Sequence, residues 1–357
     1  MAIALGIIGT GNIFPAYIKT LKRSRVFRIV GVADRDAAAA RRRSEEFGVP
    51  AMSVARLLAS DATIILNLTP PLAHHEVGLA VLAAGKHFFT EKPLASSYAE
   101  GKALRAAARR RRLRIGCAPD TFLGAGGQTV RALVDAGTIG RVIGGTANFM
   151  THGPDHWHPN PDFFYRAGAG PLFDVGVYYL THLVNHLGPV LEAGGSARMT
   201  KRERVVPFGD RAGHRIRVEV PTHIVLHLHF AQGAAVTLTA SFDVWRHGHP
   251  FLELYGENGT IASPDPNRFG GPVGVAVQAG GWQKTIQQRP YRTNSRGIGL
   301  IDMAQSIEAA RPHRCSEDLA LHVLEVMDRG LAAAQRGRIA RFETTCERPA
   351  PLDHPLF

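Results

Sequence analysis

Cysteine is scarce in this chain. Cys117, Cys315 and Cys346 stand far apart among 357 residues and form no Cys-x-x-Cys pair. That spacing suggests neither a disulfide framework nor a zinc site, so no metal is expected. Long apolar runs are also missing, and no stretch approaches the length needed to cross a bilayer. Strand-like sequence begins at Ala2, so no signal peptide is expected and a cytoplasmic location is the default. No internal repeat or low-complexity linker is present. The densest basic run is Arg105, Arg109, Arg110, Arg111, Arg112 and Arg114, and it holds no interleaved aromatic residue. Stacking platforms for a nucleic acid are thereby lacking. In a chain of net charge +12, this run reads as the solvated face of a helix over residues 98–112. Neither a nucleic acid nor a membrane is expected as a partner.

What is present is ordinary globular composition, 45% hydrophobic and 20% charged, in a chain long enough for two domains. The first part alternates strands and helices. Continuous apolar runs at residues 3–8 and 63–68 suit strands buried on both faces. Further strands are expected at 28–33, 86–90 and 113–117. Helices are expected at 14–23, 37–47, 75–84 and 98–112, with Gly48 and Gly85 as helix stops. This β-α-β-α order implies a doubly wound parallel sheet. After Pro119 the pattern changes. Residues 142–150 form a strand, 152–170 a polar loop, 171–187 a helix, and 195–260 mostly strands. At 222–230 the alternation is clean, with Ile224, Leu226, Leu228 and Phe230 on one face and His223, Val225, His227 and His229 on the other. Such a strand belongs to an antiparallel sheet with unlike faces. Helices follow at 300–310 and 317–334. Residues 1–120, 121–342 and 343–357 are expected to form a nucleotide-binding domain, a substrate and oligomerisation domain, and an extended arm.

Two segments carry the functional signal. Gly9-Thr10-Gly11-Asn12-Ile13 lies between the first strand and the first helix. A glycine turn there lets backbone N–H groups and the helix N-terminus approach a pyrophosphate. Phe14 stands where a third glycine would allow close helix–strand packing. Asp34 ends the second strand, 34 − 11 = 23 residues after Gly11, and can accept hydrogen bonds from ribose hydroxyls. Its carboxylate favours NAD over NADP, whereas the adjacent Arg35 could contact a 2′-phosphate. The expected fold class is therefore α/β plus α+β: an N-terminal Rossmann sheet, then a C-terminal domain on a large, mostly antiparallel open sheet. The second segment is Glu91-Lys92-Pro93, at the end of a later strand, where ligands of such sheets bind.

These motifs occur together with Thr69-Pro70-Pro71 and His74, with Gly168 to Tyr178 in the pattern Gly-x-Gly-Pro-Leu-Phe-Asp-x-Gly-x-Tyr, and with Glu253 to Thr260 as a late strand and turn. The combination closely resembles the glucose–fructose oxidoreductase / inositol dehydrogenase (Gfo/Idh/MocA) family over nearly the whole chain. The resemblance implies an NAD(P)-dependent oxidoreductase acting on a hydroxyl or ketone of a sugar, polyol or related cyclic substrate. It implies a catalytic role for Lys92, and a cofactor site built from Gly9 to Ile13, Asp34, Arg35, Thr69, Pro70, His74, Glu91 and Lys92. Tyr178 stands where many members carry histidine, as in the glucose–fructose oxidoreductase and dihydrodiol dehydrogenase branches, where tyrosine is the acid/base. Members commonly oligomerise through the open face of the second sheet, which implies a homodimer or homotetramer.

The residues themselves agree. Asp174, Tyr178 and His182 are spaced i, i+4, i+8 and share one face if the segment is helical. A nearby lysine ammonium would lower the tyrosine pKa from about 10. For His182 a packed helix residue is the alternative to a catalytic one. The loop with His156, Trp157, His158 and Tyr165 combines aromatic faces with polar groups, as polyol binding requires, and leads directly into the Asp174 segment. Arg296 is a further substrate candidate. Two other readings stay open: redox-neutral, NAD-dependent cleavage of a glycoside, and non-catalytic dinucleotide sensing on the same fold.

Overall fold

A computed structural model describes residues 2–285 and 289–357. The chain begins with β1 (Ile3–Ile8), α1 (Phe14–Ser24), β2 (Phe27–Ala33), α2 (Ala37–Phe47), a short α3 (Val54–Leu58) and β3 (Ile64–Asn67). It continues through α4 (His74–Ala83), β4 (His87–Thr90), α5 (Tyr98–Arg111) and β5 (Ile115–Cys117). The five strands form one parallel sheet in the order β2-β1-β3-β4-β5. Their apolar runs are buried on both faces, with Leu5, Ile7, Ile64, Leu66, Phe88 and Phe89 in the core. The Asp36 side chain caps α2, and Gly48 closes it in the left-handed conformation at φ 62°. Phe14 is fully buried and meets Phe47 edge-on at 5.6 Å. The bulky residue is thus absorbed between α1 and α2.

The second part comprises α6 (Ala125–Asp135), β6 (Val142–Met150), α7 (Val177–Leu187), β7 (Val190–Arg198), β8 (Glu203–Val205), β9 (Arg215–Arg217), β10 (His223–Phe230) and β11 (Ala235–Ser241). Next come β12 (Leu252–Gly256), β13 (Gly259–Ser263), β14 (Val273–Val277), β15 (Gln283–Thr285), α8 (Ile298–Glu308), α9 (Glu317–Gln335) and β16 (Ala340–Arg341). Nine strands make one mixed sheet in the order β15-β14-β13-β12-β6-β11-β10-β7-β16. Its only parallel pair among the described residues is β6 with β11. Ile224, Leu226, Leu228 and Phe230 face the helices and are buried, whereas His227 and His229 on the opposite face are exposed. The strands β8 and β9 pair as a separate ribbon over a small second core of Phe164, Tyr165, Val206, Ile216, Val218 and Phe242.

The two sheets are tied together by the last helices. Helices α8 and α9 both pack on β5, α8 also meets α1, and α9 also meets α5, α7 and β7. Arg105 and Arg109 of the basic helix pair with Asp318 of α9 at 3.2 and 2.9 Å. Part of the arginine run therefore joins the halves instead of facing solvent alone. The chain from Pro349 runs back across α6 and α8. The backbone N–H of Leu352 donates to Gln128 Oε1 at 2.7 Å, and Leu352 is fully buried. Among the described residues no helix is long and apolar enough to cross a membrane. Leu352→Ala is expected to lower the free energy of unfolding by about 2–5 kcal/mol, as for other buried leucines. Urea denaturation measures this, and a loss under 1 kcal/mol would show that the tail is not part of the core.

Candidate active site

The order of the first sheet reverses between β1 and β3, so their carboxyl ends flank a crevice. Gly9 sits there at φ 99°, and a Cβ on it would lie 2.5 Å from the Leu68 backbone. Only glycine fits this approach. Gly11 differs, because a Cβ there would touch nothing in the protein and would project into the space above the turn. The N-terminus of α1 carries no side-chain cap. Phe14 and Ala16 donate to the Gly11 and Ile13 carbonyls at 3.2 and 3.0 Å and Pro15 has no N–H, so this end offers a phosphate its partial positive charge. Asp34 accepts from the Thr10 backbone N–H at 2.7 Å and from its hydroxyl at 2.9 Å, which holds the carboxylate at the rim of the turn. Arg35 is exposed beside it. At the end of β3, the Thr69 hydroxyl donates to Asn67 Oδ1 at 2.8 Å, and Pro70 is exposed. These groups fit a dinucleotide, with pyrophosphate over Gly11 to Ile13 and ribose near Asp34.

Lys92 follows β4 and reaches across to the second part of the molecule. Its ammonium donates to Asp174 Oδ1 at 2.9 Å and to the Asp174 backbone carbonyl. The same nitrogen lies 5.3 Å from the centre of the Tyr178 ring. From the other side, an Arg296 guanidinium nitrogen comes within 3.5 Å of the Tyr178 hydroxyl and donates to Asn267 Oδ1 at 3.1 Å. Burial opposes the Lys92 charge, but Asp174, Tyr178 and Glu91 outweigh it and raise the pKa. Lys92 is therefore a fixed cation. Arg296 is likewise held charged against burial by Tyr178 and Glu91. A parallel sheet that ends in a glycine turn, followed by a mixed nine-stranded sheet whose neighbouring turn and helix put a carboxylate and a phenol beside a β4 lysine, is a specific combination.

Comparison with known proteins agrees with this fold. Residues 3–118 match the model of an oxidoreductase family described as having an NAD-binding Rossmann fold, and residues 128–262 match the GFO/IDH/MocA C-terminal domain. The chain belongs to the Gfo/Idh/MocA oxidoreductase family. The dTDP-3,4-didehydro-2,6-dideoxy-alpha-D-glucose 3-reductase of Streptomyces antibioticus is 30% identical over 64% of this chain and 69% of its own length. Inositol 2-dehydrogenase 3 of Saccharopolyspora erythraea is 28% identical over 78% of each chain. In fold, an NAD-binding oxidoreductase from Klebsiella pneumoniae superposes with a TM-score of 0.82 at 21% identity, covering 96% of this chain and 99% of that one. An aldose-aldose oxidoreductase from Caulobacter crescentus gives 0.79 at 20% identity, covering 96% and 100%.

Within this Gfo/Idh/MocA chain, several expected site residues take other places. His74 is fully buried, with Nδ1 2.7 Å from the Pro93 carbonyl and Nε2 2.9 Å from the Thr69 carbonyl. It ties two strand-end loops together and has no surface to offer a cofactor. Glu91 is also buried, accepting from the Tyr17 hydroxyl at 2.7 Å and from the Lys92 N–H at 3.0 Å. Tyr165 is fully enclosed and donates to Asp155, so it supports the loop and cannot meet a substrate. Asp174 lies on a π-helical turn, Leu172–Gly176, that runs directly into α7, so the expected helix over 171–187 is continuous but widened by one turn around Asp174. Such turns redirect side chains at functional sites. Asp174 and Tyr178 converge on Lys92, whereas His182 turns inward towards Thr121 and His186. Burial pushes the His182 pKa down to about 3, leaving a neutral ring.

The expected lowering of the Tyr178 pKa is also corrected. Burial raises it, and the pull of Lys92 and Arg296 does not offset that. Of the loop residues, Trp157 is 63% exposed. His158 Nδ1 accepts from the Asn160 N–H at 3.0 Å, which leaves Nε2–H as its donor. Burial lowers the His158 pKa, and the charge of Asp174 opposes this, so the ring lies within reach of the cluster's field. His156 is exposed beside Asp155. Sequence reading missed Asp120. It is buried at the end of β5 and accepts from the N–H groups of Gly297 and Gly299 at 2.8 and 3.1 Å, thereby holding the start of α8 next to Arg296. Burial pushes its pKa up to about 6. An aspartate three residues after a short buried strand, behind Ala118 and Pro119, was the available signal. Among the described residues, no three His, Cys, Asp or Glu side chains gather in metal-holding geometry.

Gly11→Ala tests the cofactor crevice. It is expected to melt like the wild type, since the added methyl meets no protein atom, but to bind NADH at least tenfold more weakly by fluorescence titration. Equal NADH affinity would move the pyrophosphate away from this turn.

Proposed function

We propose that this chain moves a hydride between nicotinamide and a secondary hydroxyl or ketone of a sugar, polyol or related cyclic compound, with NAD as the favoured carrier. The observation that carries the reading is the convergence of Lys92, Asp174, Tyr178 and Arg296 beside the crevice at the strand ends. Nicotinamide bound there supplies the hydride acceptor or donor. Lys92, oriented by Asp174, binds the substrate oxygen and stabilises the negative charge that develops on it. Tyr178 takes the hydroxyl proton in oxidation and returns it in reduction. Because burial raises its pKa, the resting side chain is a neutral phenol, the form that reduction needs. Lys92 and Arg296 favour the phenolate that oxidation needs.

His156, Trp157 and His158 face the substrate in this reading, with the exposed indole against C–H bonds and the imidazoles on hydroxyls. The substrates in the names of the two relatives, inositol and a dTDP-linked keto sugar, support the class. Copies of the chain pair into a homodimer or homotetramer through the open face of the nine-stranded sheet. Exposed His227 and His229 and half-buried Thr237 and Thr239 on that face support such a contact.

The test is absorbance at 340 nm with NAD or NADP against sugars and inositols, run across pH. Oxidation requires the phenolate, so its kcat/KM rises with pH towards the Tyr178 pKa. Tyr178→Phe is expected to lose about 10²–10⁴-fold and to abolish that limb. Arg296→Gln removes a positive charge beside the phenol, raises its pKa and shifts the limb to higher pH. Near-normal turnover of Tyr178→Phe would remove the tyrosine from the chemistry. An unmoved limb in Arg296→Gln would remove the arginine from its activation.

A further inference from the structure

Arg296 has to be aimed, because its hydrogen bonds go to neutral groups. The guanidinium donates to Asn294 Oδ1 at 3.0 Å and to Asn267 Oδ1 at 3.1 Å, and the Tyr178 hydroxyl lies 3.5 Å away. Among the described residues no carboxylate pairs with it. A long side chain without an ion-pair partner keeps much of its rotamer freedom, so its direction depends on its backbone. That backbone has no ladder of its own, since residues 289–297 lie in neither helix nor strand. On one side, the N–H groups of Gly297 and Gly299 donate to buried Asp120. On the other, Tyr291 is held twice. Its carbonyl accepts from the Ala125 N–H at 3.1 Å, and its hydroxyl accepts from the Leu356 N–H at 2.5 Å.

Leu356 belongs to the arm 349–357, which has no regular structure and is held by side chains along its length. The Pro349 carbonyl accepts from Arg131 at 2.9 Å, the Leu352 N–H donates to Gln128 at 2.7 Å, and Asp353 pairs with Arg289. The Ala350 and Pro351 carbonyls both accept from Arg314 at 2.9 Å. Leu356 is the junction. Its N–H goes to Tyr291, its carbonyl accepts from Gln305 of α8 at 2.8 Å, and its side chain is buried. One residue of the arm thus bridges the segment before Arg296 and the helix after it. The Phe357 ring lies 5.7 Å from that of Tyr291. Pro349, Pro351 and Pro355 fix φ at three positions, which lowers the entropy lost when the arm settles.

We infer that this arm positions Arg296 beside the Tyr178 phenol, with Leu356 and Tyr291 as the positioning residues through which it acts. The inference rests on the oxidoreductase reading and adds to it residues outside the catalytic cluster. Three charged groups face Tyr178: Lys92 and Glu91 from the end of β4, and Arg296. Lys92 is held by Asp174, and Glu91 by the Tyr17 hydroxyl. Only the arginine depends on the arm. Loss of the bridge at Leu356 lets the guanidinium drift from the phenol, which then keeps one of the two cations that favour its ionised form.

The experiment compares the full chain, Tyr291→Phe, and a variant that stops after Asp353, each with and without Arg296→Gln. Protein labelled with carbon-13 at tyrosine Cζ is followed by NMR, and Tyr178→Phe identifies the Tyr178 signal. Both variants are expected to move this signal in the direction in which Arg296→Gln moves it. Once Arg296→Gln is present they are expected to add nothing, as for groups acting through one another. A signal that stays in place in both variants, or a shift that adds to that of Arg296→Gln, overturns the inference. NADH affinity equal to that of the wild type checks that both variants are folded. Should the shortened chain not fold, Tyr291→Phe decides alone. In turnover, the pH limb of oxidation is expected to move up by about one unit, a roughly tenfold loss of kcat/KM on its slope. A limb that does not move also overturns the inference. The NMR signal needs no substrate. A wild type without turnover therefore counts against the oxidoreductase reading, while the signal still decides whether the arm positions Arg296.

Discussion

The ammonium of Lys92 is the point at which the two sheets of this molecule meet. Its backbone belongs to the end of β4, and its partners, the carboxylate and carbonyl of Asp174, belong to the turn that opens α7. Both side chains are largely withdrawn from water, at 16% and 23% exposure. A half-buried cation of this kind is tolerated because an anion and a carbonyl replace its hydration, and removing either partner would strand the other. The same pairing spans the two halves and fixes the direction of the lysine ammonium. Tyr178, four residues further on, is carried to the lysine by the same turn.

A second cation is held in place by quite different means. Arg296 precedes α8, and the first turn of that helix is anchored by buried Asp120 from the end of β5. On the other side, Tyr291 adopts φ 64°, unusual for a residue with a bulky side chain. Its hydroxyl accepts from the Leu356 N–H at 2.5 Å, and its carbonyl accepts from the Ala125 N–H at 3.1 Å. The surrounding contacts over-determine this backbone, as strain near a site requires. The phenol therefore lies between two fixed charges, one from each half of the molecule, in a pocket dry enough to keep it protonated at rest.

Much of this was legible in the chain. The apolar runs at β1 and β3, the turn at Gly9 and Gly11, Asp34 at the end of β2 and Lys92 at the end of β4 are all local signals, set by strand periodicity and turn chemistry. The alternation at β10 correctly separated a buried face from a histidine face. His74 and Glu91 were placed beside the cofactor because their motifs are, yet both turn inward to join loops. Tyr165 was read as a polyol contact because it is aromatic and in a polar loop, but Asp155 and the small second core hold it inside.

Sequence by itself determined the strand–turn–helix that accepts a dinucleotide, the order of the parallel sheet's elements and the two-faced strands of the second sheet. These depend on backbone conformation and burial within a few residues of each position. Only the tertiary structure decided which distant groups meet. Lys92 and Asp174 are 82 residues apart, and Tyr178 and Arg296 are 118 apart. Tyr178 and His182 are one turn apart on α7, and packing of the second against Thr121 and His186 leaves only the first in the cluster. The balance between burial and two cations at Tyr178 likewise exists only once the halves have packed. Desolvation is a property of the assembled surroundings and not of any residue in the chain.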